Sequence, residues 1–92
     1  MAELDLESID LYGLEAWGEA QMQEYSDRIF SVLDSLSNFP RIGTLHDDLA
    51  SETRSIGVGH HRIYYRVEHD RIVVMRILHE RMNEPDADEL MS

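Results

Sequence analysis

Arginine is the residue type in this sequence with the clearest capacity to bind another molecule. All eight basic residues of the 92-residue chain are arginines, and six of them lie between Arg54 and Arg81. Arg62, Tyr64 and Arg66 alternate with apolar residues, which predicts that their side chains share one face of a β-strand. Arginine on such a face can form paired hydrogen bonds with a carboxylate or a phosphate. The alternative is that each arginine pairs with one of the nineteen acidic residues of the same chain.

Histidine is the second residue type that suggests a specific chemistry, because His60, His61 and His79 could coordinate a metal ion. The chain has no cysteine, and adjacent residues of a strand point to opposite faces, so His60 and His61 are not expected to reach one ion. No candidate base is expected beside a plausible nucleophile, as a hydrolytic enzyme requires. We therefore predict no metal, no cofactor and no enzymatic activity.

The net charge of −11 bears on the class of partner. A surface of this sign repels the phosphates of nucleic acids at long range, so direct nucleic-acid binding is not expected. Two interpretations of the acidity remain open. The acidic residues form either a solvated surface without a partner or a surface complementary to a basic segment of another protein.

Apolar residues in the first forty positions recur at three- and four-residue intervals, the spacing of amphipathic helices. The first helix is predicted to end at Trp17 and Gly18, and the second to run from about Glu19 until Pro40 terminates it. Helices joined so closely are expected to form an antiparallel hairpin. The residues predicted to face the core are Leu6, Ile9, Tyr12 or Gly13, and Ala16 in the first helix, and Met22, Tyr25, Ile29, Val32 or Leu33, and Leu36 in the second.

The second half of the chain has the period of β-strands. Strands are predicted at 54–58, at 61–67, where apolar and polar residues alternate, and at 72–78, which is apolar on both faces except for Arg76. Short turns between them predict an antiparallel meander. The predicted class is α+β, a single domain over residues 1–92 with a two-helix antiparallel hairpin packed on a three-stranded antiparallel sheet. Residues 80–92 form an acidic tail that is expected to be loosely ordered.

The cellular compartment is constrained by three features. The absence of cysteine suits a reducing environment, and no apolar run is long enough to span a bilayer. The acidic N-terminal segment lacks the basic region of a signal peptide. We expect a soluble cytoplasmic protein that does not contact membranes.

Three stretches of the sequence resemble ParE-type toxins of the RelE/ParE toxin–antitoxin superfamily. They are AELDLESIDLY with Trp17-Gly18 at positions 2–18, FPRIG at 39–43, and RSIGVGHHRIYYRV followed by RILHERM within 54–82. The resemblance implies a helical hairpin on an antiparallel sheet, which the periodicity predicts independently. It also implies inhibition of DNA gyrase by binding, and neutralisation by a ParD-like antitoxin in a hetero-oligomer. We assign Arg62, His79 and Arg81 to the target contact, and Arg54, Tyr64 and Arg66 to the antitoxin contact.

Two alternatives belong to the same superfamily. RelE-like members cleave mRNA on the ribosome, and Arg62 and Arg81 match arginines of their motif. Their lysines and C-terminal aromatic residue have no counterpart here, so the chain is expected to lack an acid–base group. Together with the net charge of −11, this disfavours mRNA cleavage. A non-toxic relative that only binds an antitoxin is the other alternative.

One departure from the family leads to a further expectation. ParE-like chains usually place a β-strand before the first helix, whereas the helix motif here begins at residue 2. The sheet is therefore predicted to have an open edge that a strand from the antitoxin or from a second copy fills.

Overall fold

Two helices and a four-stranded antiparallel sheet form the fold in a computed structural model that describes residues 2–46, 49, 52–69 and 71–80. The predicted α+β class is confirmed. The sheet order is β1-β2-β3-β4. None of the described helices is long and apolar enough to cross a membrane. The elements are α1 Ala2–Trp17, α2 Glu19–Asn38, β1 Thr44–Leu45, β2 Arg54–Val58, β3 His61–Glu68 and β4 Arg71–His79.

The strand β1 is absent from the sequence prediction of three strands. It pairs with the start of β2, with Thr44 opposite Ser55 and Leu45 opposite Arg54. The fully buried Tyr65 positions the turn that leads into it. Its hydroxyl donates to the carbonyl of Pro40 at 2.8 Å and accepts from the Gly43 N–H at 2.9 Å. A Cβ at Gly43 would lie 2.6 Å from that hydroxyl, so the close approach requires glycine.

The main core lies between α2 and one face of the sheet. Tyr25, Ile29 and Leu36 are the buried residues of α2, and they belong to the predicted stripe. The strands contribute Val58, Ile63, Tyr65 and Ile77 to the same cluster. Burying one such side chain stabilises the fold by about 1.5–3 kcal/mol. The helix α2 therefore covers one face of the sheet. The opposite face is here called the open face.

The open face has a small apolar cluster of its own. Tyr64, Met75 and Leu78 are buried there, with Leu49 and Val73 packed against them. The position of Met75 in this cluster depends on a register shift between β3 and β4. Tyr64 pairs with Arg76, whereas the next residue, Tyr65, pairs with Val74. The bulge leaves Met75 as the extra residue of β4. The prediction that the last strand is apolar on both faces is therefore confirmed.

The helix α1 buries less than the sequence pattern indicates. Ile9 and Gly13 are buried, and a Cβ at Gly13 would lie 3.1 Å from Cγ of Met22 in α2. Gly13 therefore fills the inward position for which Tyr12 was the alternative. The prediction for Ala16 is wrong, since this residue is exposed. The helix ends before Gly18, whose φ of +84° favours glycine.

An ion pair joins α1 to β4, the strand at one end of the described sheet. The Asp5 carboxylate accepts two hydrogen bonds from the Arg76 guanidinium at 2.8 and 3.0 Å. The same carboxylate accepts the backbone N–H of Ile77 at 2.9 Å. Asp5 and Arg76 side chains are 13% and 14% exposed, so the contact is shielded from water. Asp5 thus satisfies one backbone donor at the β4 edge of the described sheet.

Candidate interaction site

On the open face, Arg62 is exposed to solvent and its side chain is held by a hydrogen bond to a buried residue. Arg62 is exposed, and its guanidinium Nη1 donates to Oγ of Ser55 at 3.0 Å. Ser55 is 1% exposed and stands on the neighbouring strand β2. Gly57 pairs with Arg62 across the strands, and a Cβ there would only reach ordinary van der Waals contact with the guanidinium, 3.6 Å from Nη2. Among the described residues, no carboxylate pairs with Arg62.

His46 contacts the same serine from the loop after β1. Its Nε2 lies 2.5 Å from Oγ of Ser55, and its ring centroid lies 5.8 Å from that of Tyr64. His46 is therefore a potential acid–base group that shares the contact to Ser55 with Arg62, so the expectation that the chain lacks such a group is wrong. Because Ser55 is almost fully buried, a substrate cannot readily reach its hydroxyl. The serine is better suited to hold Arg62 and His46 together at the surface.

Tyr64 and Arg66 lie on the same face of β3 as Arg62, as the alternation predicts. Tyr64 is 5% exposed and belongs to the apolar cluster of the open face. Arg66 is half-buried and pairs with Glu68, with 3.0 Å between Nη2 and Oε2. The alternative that arginines pair with acids of the same chain thus applies to Arg66 and, through Asp5, to Arg76.

Arg54 does not share a face with Tyr64 and Arg66. It pairs with Tyr65 across β2 and β3, which puts it on the side of the sheet that faces the helices. Its guanidinium donates to the carbonyls of Arg41 at 3.3 Å and Gly43 at 3.0 Å. Arg54 therefore holds the turn before β1, and the structure does not bring the three assigned antitoxin residues together.

Arg62 and His79, which the sequence analysis assigned to the target contact, lie at the same end of the sheet but on opposite faces. Arg62 pairs with Leu78, and His79 is the next residue of β4. His79 lines a groove of about 540 Å³ between α1 and β4. Arg81, the third residue assigned to the target, lies outside the described residues.

A cluster of aromatic rings closes this end of the sheet. The ring of His79 lies 6.3 Å from that of His60 and 5.2 Å from that of His61, measured between centroids. The expectation that His60 and His61 project to opposite faces of one strand is wrong. His60 belongs to the turn that Gly59 makes with a φ of +57°, and only His61 belongs to β3. No group of three ligands suited to a metal ion occurs within the described parts of the chain.

The hydroxyl of Tyr25 connects this cluster to α2. It accepts the backbone N–H of His60 at 3.0 Å, and it lies 2.5 Å from Nδ1 of His61 and 3.2 Å from the carbonyl of Val58. Burial raises the pKa of Tyr25, and the backbone hydrogen bond from His60 opposes this rise. Burial lowers the pKa of His61, and the neighbouring His79 and His60 lower it further. The single hydroxyl hydrogen is donated either to the Val58 carbonyl or to Nδ1 of a neutral His61.

Sequence reasoning missed His46, Ser55 and Tyr25 as members of these two groups. Tyr25 was placed in the core by its helical spacing, and its polar contacts join residues 33 to 36 positions apart. Ser55 lies in a predicted strand, and the alternation of side chains along that strand predicts only that Ser55 and Ile56 face opposite sides of the sheet. It does not predict the contacts that Ser55 makes. His46 precedes the predicted strands and had no pattern at all.

Comparison with known proteins gives one consistent result. Residues 1–84 match the family described as ParE toxin of type II toxin–antitoxin system, parDE. The chain is 29% identical over 82 residues to Toxin ParE1 of Caulobacter vibrioides, which covers 89% of this chain and 84% of that protein. It is 31% identical over 83 residues to Toxin ParE1 of Mycobacterium tuberculosis, with coverage of 89% and 85%. Toxin ParE3 of Caulobacter vibrioides is 40% identical over 57 residues, 62% of this chain and 57% of that protein.

Proposed function

The chain belongs to the ParE toxin family of type II toxin–antitoxin systems, and from that premise we propose that it inhibits DNA gyrase by binding and is neutralised by a ParD-like antitoxin. This activity is non-enzymatic and takes place in the cytoplasm. The observation that carries the proposal is Arg62, an exposed guanidinium that is anchored on a buried serine and has no carboxylate partner among the described residues. Such a group is available to a target, whereas Arg66 and Arg76 already pair with acids of the chain.

The assigned contacts divide according to their position in the fold. Arg62 is proposed as the central target contact on the open face, and His79 extends that contact around the end of the sheet. Arg81 is proposed as a third target contact. Tyr64 and Arg66 are proposed as antitoxin contacts on the same open face. An antitoxin that covers Tyr64 and Arg66 would also cover Arg62, which gives a direct steric basis for neutralisation. Arg54 contributes indirectly, because it fixes the turn before β1.

The test is a plasmid supercoiling assay with purified gyrase. The full chain is expected to inhibit supercoiling and to increase the fraction of plasmid trapped in cleaved form. Addition of the antitoxin encoded beside the toxin gene is expected to restore supercoiling. An unchanged supercoiling rate at a large molar excess of the chain would rule out gyrase as the target.

A second candidate function rests on the position of His46. Ribosome-dependent mRNA cleavage needs an acid–base group near the arginine that stabilises the phosphate transition state, and His46 and Arg62 both contact Ser55. Mapping of mRNA ends on translating ribosomes separates the two functions. If the chain inhibits gyrase, no new mRNA ends are expected. Codon-specific cleavage that is abolished in the Arg62→Ala variant would show that the function is mRNA cleavage and not gyrase inhibition.

A further inference from the structure

The helix α1 exposes leucines on its outer face in addition to the apolar residues on its inner face. Leu4, Leu11 and Leu14 are 61%, 65% and 49% exposed, while Ile9 on the opposite side is buried. Spacings of seven and three residues place the three leucines along one stripe, which repeats like the contact positions of a coiled coil. The outward side of a surface helix is normally polar, so an exposed stripe of leucines is a candidate contact surface. Here α2 and the sheet cover only the inner face.

The charge on this stripe restricts what can cover it. Glu7 lies three residues after Leu4 and four before Leu11, so it belongs to the stripe itself, and Glu3 and Glu15 are exposed near it. An apolar partner would remove water from Glu7 without replacing its hydrogen bonds, which is unfavourable for a charged carboxylate. A partner with an arginine or lysine opposite Glu7 would satisfy that carboxylate. The helices as a whole, residues 2–38, contain nine acidic residues and one arginine.

We propose that the outer face of α1 is a docking surface for an amphipathic helix that is apolar towards Leu4, Leu11 and Leu14 and basic opposite Glu7. A second copy of the chain is a poor occupant, because two α1 faces would bring like charges together. Nucleic acids and anionic lipid surfaces are repelled for the same reason. The identification of this helix as part of the antitoxin rests on the proposed function. The apolar and acidic character of the surface does not depend on that function.

The first experiment needs no antitoxin. A synthetic 18-residue helical peptide with leucines at coiled-coil spacing and arginines beside them is titrated into the isotope-labelled full chain. The control peptide has glutamate at every arginine position. We expect the amide resonances of residues 3–15 to shift with the basic peptide and to stay in place with the acidic one. Shifts confined to the open face of the sheet, or equal shifts with both peptides, would overturn the proposal.

Variants locate the binding residues. Leu11→Ser and Glu7→Lys are each expected to weaken peptide binding at least about tenfold. Ile42→Ser is the matched control, because Ile42 is 59% exposed and precedes β1, at the other edge of the sheet from β4, the strand that α1 contacts. All three side chains are exposed, so thermal unfolding should be unchanged. If Ile42→Ser weakens binding of the basic peptide as much as Leu11→Ser does, the binding site is not on α1.

The same variants identify the partner when the antitoxin is used as the probe. A loss of antitoxin affinity in Leu11→Ser and Glu7→Lys, but not in Ile42→Ser, supports the antitoxin as the occupant. Antitoxin binding that none of the variants changes overturns this occupant while leaving the proposed toxin function intact. Concentration-dependent dimerisation that Leu11→Ser abolishes would assign the surface to a second copy and overturn the basic partner.

Discussion

The helices and the strands of this protein carry charges of opposite sign. Residues 2–38 contain nine acids and one arginine, a net charge of −8, whereas Arg54–His79 contain five arginines and two acids, a net charge of +3. The total of −11 therefore describes neither surface. A total charge argues against anionic partners for the molecule as a whole, but the open face of the sheet presents an arginine, Arg62, to solvent. The two layers therefore differ in the sign of their charge, and they are joined by the Asp5–Arg76 pair and the Tyr25 hydroxyl.

The largest expected effect comes from breaking the ion pair between the two layers. Asp5→Ala removes the carboxylate that binds both Arg76 and the Ile77 N–H, in a site where both side chains are largely buried. We expect the free energy of unfolding to fall by roughly 3 kcal/mol, measured by urea denaturation.

Asp5→Asn is the matched control, because an amide oxygen can still accept the Ile77 N–H while the charge is lost. It should cost clearly less than Asp5→Ala. Equal stability of the wild type and both variants would show that the layers do not depend on this contact.

A smaller effect is expected at the other junction of the layers, the Tyr25 hydroxyl. Tyr25→Phe removes the hydrogen-bond partner of the His60 N–H and of His61 Nδ1. We expect a loss of about 1–3 kcal/mol in the free energy of unfolding, and faster hydrogen exchange at the His60 amide. Tyr12→Phe, at a tyrosine that is 63% exposed, should change neither quantity. The same loss in both variants would mean that the hydroxyl network does not join α2 to the sheet.

The pH dependence of stability is expected to reflect His61. Its pKa is lower in the folded state than in the unfolded state, so the unfolded chain binds the proton more readily. The stability that a neutral His61 contributes should be fully present above its unfolded-state pKa of about 6.5. It should be lost as the pH falls through the lower pKa of the folded state. The charged and titratable groups around it are Tyr25, His60, His79 and Glu80.

His61→Asn keeps an amide oxygen or nitrogen near the Tyr25 hydroxyl but does not titrate. Its free energy of unfolding, measured between pH 5 and 8, should depend less on pH than that of the wild type. A variant with the same slope as the wild type would show that another group controls the pH response.

Sequence periodicity predicted the elements whose residues repeat and missed those that depend on distant partners. The stripe through Tyr25, Ile29 and Leu36 and the alternation of β3 are local patterns, and both are confirmed. The strand β1 has only two residues, which is too few for any period. The Asp5–Arg76 pair joins positions 71 residues apart, and nothing in the sequence near either residue marks the other.

The candidate site shows the same limit. Alternation correctly put Arg62, Tyr64 and Arg66 on one face, because a strand has a period of two. It could not reveal that Arg54 on β2 belongs to the opposite face, since the register between β2 and β3 decides this. His60 was misplaced because Gly59 turns the chain just before β3 begins. The anchor of Arg62, Ser55, became visible only once β2 lay beside β3.

The most direct test of the account compares the same loss of charge in the two layers. Gyrase supercoiling is measured with the wild type, with Arg62→Gln on the sheet, and with Arg28→Gln on α2, the one arginine of the helices. Both arginines are exposed, and both substitutions change the net charge equally. We predict that Arg62→Gln raises the inhibitory concentration at least about tenfold, while Arg28→Gln inhibits like the wild type. Equal inhibition by all three proteins, or an equal loss in both variants, would contradict a target contact on the open face of the sheet.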